Sequence, residues 1–135
     1  MNLTIHWTFL PHTDADASLV FYRDVLGFEI RKDVGAHRMR WITVGPADQP
    51  QTSIVLNPPE AADVTADERK LLGRLIAKGN YMLVFGTDDL DKTYEQIRAA
   101  GAGVVQELED HPYGVRDCAF RDPAGNIVRI QQAEK

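Results

Sequence analysis

The histidines and the single cysteine of this chain are the residues best suited to metal binding or nucleophilic chemistry. His12, His37 and His111 fall in predicted loops or at predicted strand ends, and their spacing matches no common metal site. We therefore expect each of them to have a surface or turn role. Cys118 lies inside a predicted strand with no histidine near it in sequence, which favours a buried, unreactive thiol. Short motifs alone thus assign no catalytic residue.

The elements that would position a site are arranged as an internal repeat. Asp14 is followed thirteen residues later by Gly27, and Asp88 is followed thirteen residues later by Gly101. Each interval is typical of a helix that begins at a capping acid and ends at a glycine. A stretch rich in β-forming residues, interrupted by a proline turn, follows each helix. The repeat predicts an α+β fold of two βαβββ modules, whose curved, mostly antiparallel sheets surround a concave cavity with the helices outside.

The predicted boundaries treat residues 1–135 as one domain. The first module covers about 1–59 and the second about 80–135. Residues 60–79 form a connector with an amphipathic helix, for which Thr65 or Asp67 is a plausible N-cap.

Composition excludes several functional classes. The net charge of −5 argues against nucleic acid as a partner, since phosphate binding requires a basic face. One cysteine excludes an internal disulfide framework and is typical of a reducing compartment. No apolar run approaches the length that spans a membrane. We expect a cytoplasmic protein that binds neither nucleic acid nor membranes.

Three segments resemble the vicinal oxygen chelate superfamily, which includes glyoxalase I, bleomycin-resistance proteins and extradiol dioxygenases. They are Phe-Tyr-Arg-Asp-Val-Leu-Gly-Phe at 21–28, Asp-Asp-Leu-Asp at 88–91 and Phe-Arg-Asp-Pro-Ala-Gly-Asn at 120–126. The resemblance covers nearly the whole chain, and the connector is its least characteristic part. Because most residues of these segments shape helices and turns, the resemblance indicates the fold more than the function.

The resemblance also implies four places where enzymes of this superfamily hold a divalent metal, on the first and last strands of each module. In this chain those places are occupied by Trp7, Val55, Met82 and Arg129. None of these is a usual ligand of a divalent metal ion. The neighbouring His6 should face the opposite side of its strand from Trp7. We therefore predict that the usual metal site is missing, and we predict no cofactor.

A different kind of site is predicted on the same faces of the strands. Strand alternation adds four residues to the four metal places. The predicted ligand-binding residues are Trp7, Phe9, Val55, Asn57, Met82, Val84, Arg129 and Gln131. They describe an apolar, aromatic pocket with one cation, which is the usual composition of a small-molecule site. These side chains could equally fill a solid core.

Charged residues near the predicted pocket have alternative roles. Arg129 could bind a carboxylate or phosphate. An internal ion pair with Asp117 or Glu107 is the favoured alternative for Arg129. The repeat aligns Arg40 with Asp117 and favours an ion pair between them. Tyr113 could form a rim at the cavity mouth or belong to a plain turn.

Two functions from different classes follow. The favoured hypothesis is a metal-free protein that binds a small aromatic or anionic molecule, similar in design to bleomycin-resistance proteins. The alternative is a glyoxalase- or dioxygenase-type enzyme, with a divalent metal at a non-standard site or with metal-free acid–base chemistry. A structural module with a solid interior is a third possibility. The resemblance also implies a homodimer, because short chains of this superfamily commonly pair.

Overall fold

A computed structural model describes residues 1–61 and 63–133. The first half contains β1 (Trp7–Pro11), α1 (Ala15–Val20), β2 (Glu29–Val34), β3 (Trp41–Gly45) and β4 (Ser53–Asn57). The connecting helix is α2 (Ala66–Ala77). The second half contains β5 (Met82–Thr87), α3 (Leu90–Ala99), β6 (Gly103–Asp110), β7 (Arg116–Arg121) and β8 (Ile127–Gln132). None of the helices in these ranges is long and apolar enough to cross a membrane.

The eight strands form two four-stranded sheets with the same topology. Sheet 1 has the order β1-β4-β3-β2, and sheet 2 has the order β5-β8-β7-β6. The pairs β1–β4 and β5–β8 are parallel, and the other pairs are antiparallel. This arrangement confirms the α+β fold with two βαβββ modules. The sheets are not closed into a barrel.

The capping residues of α1 and α3 agree with the sequence prediction, with one difference. Asp14 caps α1 by accepting from the backbone N–H of Ala17, as expected. The helix then continues as a π-helical turn over Phe21–Val25. In the second half Asp89 caps α3, rather than Asp88, because its side chain accepts from Lys92 N.

The connecting helix α2 is capped by Thr65, one of the two predicted N-caps. Thr65 accepts from the backbone N–H of Glu68, and the Glu68 side chain accepts from Thr65 N, which completes a capping box. At the other end of α2, the carbonyl of Ala77 accepts from Arg121 Nη1 at 3.2 Å. The helix is therefore attached to the end of β7.

The strand boundaries differ from the sequence prediction at two places. The β-branched and aromatic residues from Leu3 to Leu10 predict a first strand over that segment, but the strand begins at Trp7 and Leu3 is exposed. The sequence also predicts a strand over Arg38–Val44, but this third strand begins at Trp41 because His37–Met39 form a 3-10 turn. His37 adopts a left-handed backbone conformation there, with φ of 56°.

One hydrophobic core lies between the sheets and their helices. Along each strand, alternate side chains point toward α1 or α3 and are buried, among them Leu10, Ile42, Leu56, Phe120, Val128 and Ile130. Phe28 and Phe85 meet edge to face with ring centroids 5.4 Å apart, so the two halves share this core. The helices leave the other side of each sheet uncovered, and we call that side the open face.

Candidate ligand-binding site

The open face of sheet 1 carries a group of aromatic side chains. Trp7 and Phe9 on β1 are 59% and 55% exposed. The neighbouring Leu10 points to the other side of the strand and is buried in the core. Phe9 lies opposite Val55 on β4, and Val55 lies opposite Thr43 on β3. A cavity of about 530 Å³ on this face is lined by Trp7, Phe9, Arg31, Lys32, Val34, Trp41, Thr43, Ser53 and Val55.

Arg31 closes one side of this cavity and is held by the backbone. Its guanidinium donates to the carbonyl oxygens of Thr52 at 2.6 Å, Pro46 at 2.7 Å and Gln49 at 3.1 Å. It lies over Gly45, where a Cβ atom would collide with it. Because several carbonyls already occupy its N–H groups, Arg31 serves to position the β3–β4 connection.

The open face of sheet 2 is more polar. Met82 and Val84 on β5 are 51% and 50% exposed, while the intervening Leu83 packs against the core. Val84 lies opposite Arg129 on β8. Arg129 Nη1 donates to Asp117 Oδ2 at 3.1 Å. The favoured internal pair with Asp117 is thus confirmed.

Asp117 is the centre of a buried polar cluster. Its Oδ1 accepts from Gln106 Nε2 and from His111 Nε2, each at 2.7 Å. Gln106 Oε1 in turn accepts from Arg129 Nη1 at 2.9 Å. Burial alone would raise the pKa of the Asp117 carboxyl, but the hydrogen bonds from Gln106, His111 and Arg129 outweigh it and lower that pKa. Asp117 is therefore ionised near neutral pH.

The predicted ion pair between Arg40 and Asp117 is wrong. Arg40 instead donates to Asp33 at 2.9 Å and 2.8 Å, and it also pairs with Asp16. The two sheets can be compared through their paired residues. Ile42 on β3 pairs with Leu56 on β4, and the equivalent pair of sheet 2 is Cys118 on β7 with Ile130 on β8. The residue of sheet 1 equivalent to Asp117 is therefore Trp41. A shift of one residue moves Arg40 away from the open face.

The eight sequence-predicted site residues fall into two groups, one on each open face. Trp7, Phe9 and Val55 line the 530 Å³ cavity, and Asn57 lines a shallow pocket beside it with Phe9 and Trp41. The residues Met82, Val84, Arg129 and Gln131 share the open face of sheet 2.

The sequence prediction missed Trp41 and His111. Trp41 lies opposite Val34 on β2 and lines the cavity beside Phe9. Because side chains alternate along a strand, Trp41 shares the open face with Thr43. The sequence would have shown this if the start of β3 had been known. His111 reaches Asp117 through a turn, for which the sequence contains no spacing signal.

A larger polar cavity of about 710 Å³ lies elsewhere, near the start of α1. It is bordered by charged residues that include Asp16 and Arg40, which form the ion pair described above. His12 also lines it, but His12 is buried rather than on the surface, and its Nε2 donates to the carbonyl of Arg40 at 2.7 Å. Because Arg40 pairs with Asp16 and His12 binds the carbonyl of Arg40, these polar side chains have a structural role.

The four superfamily metal places do not fit a divalent ion in this chain. Trp7 and Val55 offer no donor atom, Met82 offers a weak thioether, and the Arg129 cation is already paired with Asp117. Across residues 1–61 and 63–133, no group of three or more His, Cys, Asp or Glu side chains could hold a metal ion.

Cys118 is not suited to nucleophilic chemistry. It is buried on the helix side of β7, within the shared core. Burial, followed by the nearby Asp117 charge, raises the pKa of its thiol to about 11. The unreactive protonated thiol therefore predominates near neutral pH.

Comparison with known proteins identifies the family to which these two modules belong. Residues 4–130 match the sequence profile of the Glyoxalase/Bleomycin resistance protein/Dioxygenase superfamily. The chain belongs to this superfamily.

Individual relatives carry different functional names. The crystal structure of UcmS2 is 32% identical in sequence, with a TM-score of 0.86, and the match covers 97% of this chain and 98% of that one. TnmS3, an antibiotic binding protein from Streptomyces sp. CB03234, has the same fold with 24% identity and a TM-score of 0.74, covering 98% of both chains. A probable lactoylglutathione lyase from Synechocystis sp. (strain ATCC 27184 / PCC 6803 / Kazusa) is 28% identical over 132 residues, covering 92% of this chain and 95% of the relative.

Proposed function

We propose that this protein binds a small planar aromatic molecule between an aromatic open face of sheet 1 and a polar open face of sheet 2, without a metal. The observation that carries this proposal is the exposure of Trp7 and Phe9 beside Trp41 on one face of sheet 1. Aromatic side chains of this size are normally buried, and flat rings offer stacking surfaces for a planar ligand.

The size and polarity of the faces support an aromatic ligand. The cavity of about 530 Å³ lies within the range of roughly 300–1,000 Å³ that is typical of small-molecule sites. On sheet 2, Asp117 balances the charge of Arg129, so the pair does not favour a fully charged anion over a neutral molecule. The antibiotic binding by TnmS3 is consistent with this function on a chain of the same fold.

A second copy of the chain completes the site in this proposal. Trp7, Phe9, Met82 and Val84 are each at least half exposed, and they lie on β1 and β5, each of which is an edge strand of its sheet. A second copy brings another pair of open faces and would remove this apolar surface from water. Val84→Asp should therefore shift the protein toward a monomer in sedimentation velocity. Val20→Asp, on the exposed side of α1, is the matched control and should leave the assembly unchanged.

Intrinsic fluorescence provides the direct binding test, because both tryptophans of the chain line the cavity. A panel of planar aromatic compounds should contain members that quench this fluorescence and raise the melting temperature. Phe9→Ala should weaken binding of such a compound about tenfold through the loss of ring stacking. Leu71→Ala on α2 is the control, because Leu71 is similarly exposed at 53%. Equal affinity in both variants would contradict the proposed site.

Metal analysis separates this proposal from the enzyme alternative. The purified protein should bind the same compounds after treatment with a chelator. Stoichiometric nickel, zinc, iron or manganese that His6→Ala or His12→Ala removes would contradict a metal-free site.

A further inference from the structure

The side chain of His111 is held in a fixed orientation on the open face of sheet 2. The segment from His111 to Val115 forms the turn between β6 and β7, closed by a hydrogen bond of 2.8 Å from His111 N to Val115 O. The imidazole stacks on Tyr113, with ring centroids 5.0 Å apart and 5° between the planes. Its Nε2 contacts Asp117 Oδ1 at 2.7 Å. The ring is thus restrained from two sides.

The contact with Asp117 determines which imidazole nitrogen is basic. An ionised carboxylate only accepts hydrogen bonds, so Nε2 of His111 must carry the hydrogen. In the neutral ring Nδ1 then has the lone pair. No hydrogen bond joins Nδ1 to another group within residues 1–61 and 63–133. His111 can therefore accept a proton at Nδ1 while Asp117 stabilises the resulting imidazolium.

The surrounding charges favour a ligand that gives up a proton. The charged groups that face His111 are Asp117 on β7, Arg129 on β8 and Glu109 on β6, and Tyr113 is the titratable group stacked on it. Glu109 is exposed, so water screens its charge. The charges of Asp117 and Arg129 cancel while His111 is neutral. Once His111 takes up a proton, the cluster has one positive charge, which balances an anion formed beside it.

On the basis of the proposed function, we propose that His111 is the proton acceptor for an acidic hydroxyl group of the aromatic ligand, so that the ligand class is a phenol. The O–H bond of the ligand breaks, its electron pair stays on the oxygen as phenolate, and the proton forms the N–H bond at Nδ1 of His111. Arg129 supports the phenolate, since only its Nη1 is engaged by Gln106 and Asp117 in this cluster. No oxidant, metal or second substrate takes part.

The test uses two probes that differ only in the acidic proton, 4-nitrophenol and its methyl ether, 4-nitroanisole. Tryptophan quenching measures binding of both, and the visible band of nitrophenolate reports proton transfer. Wild-type protein should show the nitrophenolate band with bound probe at pH values where free 4-nitrophenol is protonated. His111→Gln should lose that band and bind 4-nitrophenol about ten- to a hundredfold more weakly, the range for a hydrogen bond to a charged group. Its affinity for 4-nitroanisole should not change.

Controls keep the test decisive. His37→Gln changes an exposed histidine outside this cluster and should behave as wild type. The melting temperature of His111→Gln checks that the variant is folded, and the retained binding of 4-nitroanisole checks that its site is intact. If 4-nitroanisole binds and the nitrophenolate band persists in His111→Gln, His111 is not the proton acceptor, while the proposed function stands. If neither probe binds the wild-type protein, both proposals fail.

Discussion

The phenol of Tyr22 donates a hydrogen bond of 2.8 Å to Oδ2 of Asp122, which lies 100 residues further along the chain. Both side chains are buried. The other oxygen, Oδ1, accepts from the backbone N–H groups of Ala124, Gly125 and Asn126. Two segments that resemble the superfamily therefore contact each other directly, one from each half of the chain.

Asn126 extends this connection between the halves. Its Nδ2 donates to Asp122 Oδ2 at 2.9 Å and to the carbonyl of Pro11, at the end of β1, at 2.8 Å. The Asp-Pro-Ala-Gly-Asn segment thus does more than form a turn. It satisfies buried polar groups of the first half and stabilises the contact between the modules.

Tyr22→Phe should lower the free energy of unfolding by about 1–3 kcal/mol, because it leaves a buried carboxylate oxygen with one partner fewer. Urea denaturation measures this change, and a single transition is expected because the two halves share one core. Tyr94→Phe is the matched control, since Tyr94 is buried and packs on Phe120 without a hydroxyl partner in the described ranges. A Tyr22→Phe variant as stable as Tyr94→Phe would refute the importance of this hydrogen bond.

Gly125→Ala should be more destabilising than Gly101→Ala. Both glycines have positive φ, 104° and 93°, so each substitution costs about 1–2 kcal/mol in backbone strain. A Cβ at Gly125 would also lie 2.7 Å from Ala77 Cα and 2.8 Å from Ala77 O, whereas nothing lies within 4 Å of one at Gly101. Overpacking adds about 1–3 kcal/mol at Gly125. Thermal or urea unfolding of the two variants should reveal this difference, and equal losses would contradict the close packing of α2 on the turn.

Acid should weaken the fold through Asp117. Its folded-state pKa is lowered, so its contribution to stability is complete above the ordinary aspartate pKa of about 3.9 and declines as the pH falls through the lower folded value. Asp117→Asn removes this contribution and should flatten the dependence of unfolding free energy on pH below about 4. The exposed Asp48→Asn serves as the control. An unchanged acid profile for Asp117→Asn would mean that the cluster does not stabilise the charged carboxylate.

Cys118 should resist alkylation in the folded protein. Its side chain is fully buried, and burial raises its thiol pKa to about 11. Iodoacetamide at pH 8 should therefore label native protein slowly, and urea should accelerate labelling to the rate of a free thiol. Mass spectrometry measures the labelled fraction, which is unambiguous because the chain has one cysteine. Rapid labelling without urea would show that β7 opens or that the thiol is exposed.

The sequence by itself determined the repeat, the α+β class and which side of each strand faces away from the core. Turn and capping residues such as Asp14 and Gly101 act over a few neighbouring residues, and strand alternation has a fixed period, so both can be read locally. Phe9, Val55, Val84 and Arg129 were placed on the open faces in this way.

Only the tertiary structure decided which polar groups meet. Arg40 lies one residue before the position of β3 that corresponds to Asp117, because β3 begins only after a 3-10 turn. Since successive side chains of a strand point to opposite faces, this shift of one residue takes Arg40 off the open face. His111 reaches Asp117 through the geometry of a turn, and Tyr22 reaches Asp122 across 100 residues. Such contacts depend on how the sheets and turns pack in three dimensions. No local rule relates residues 100 positions apart, and the shape of a turn cannot be deduced from strand periodicity.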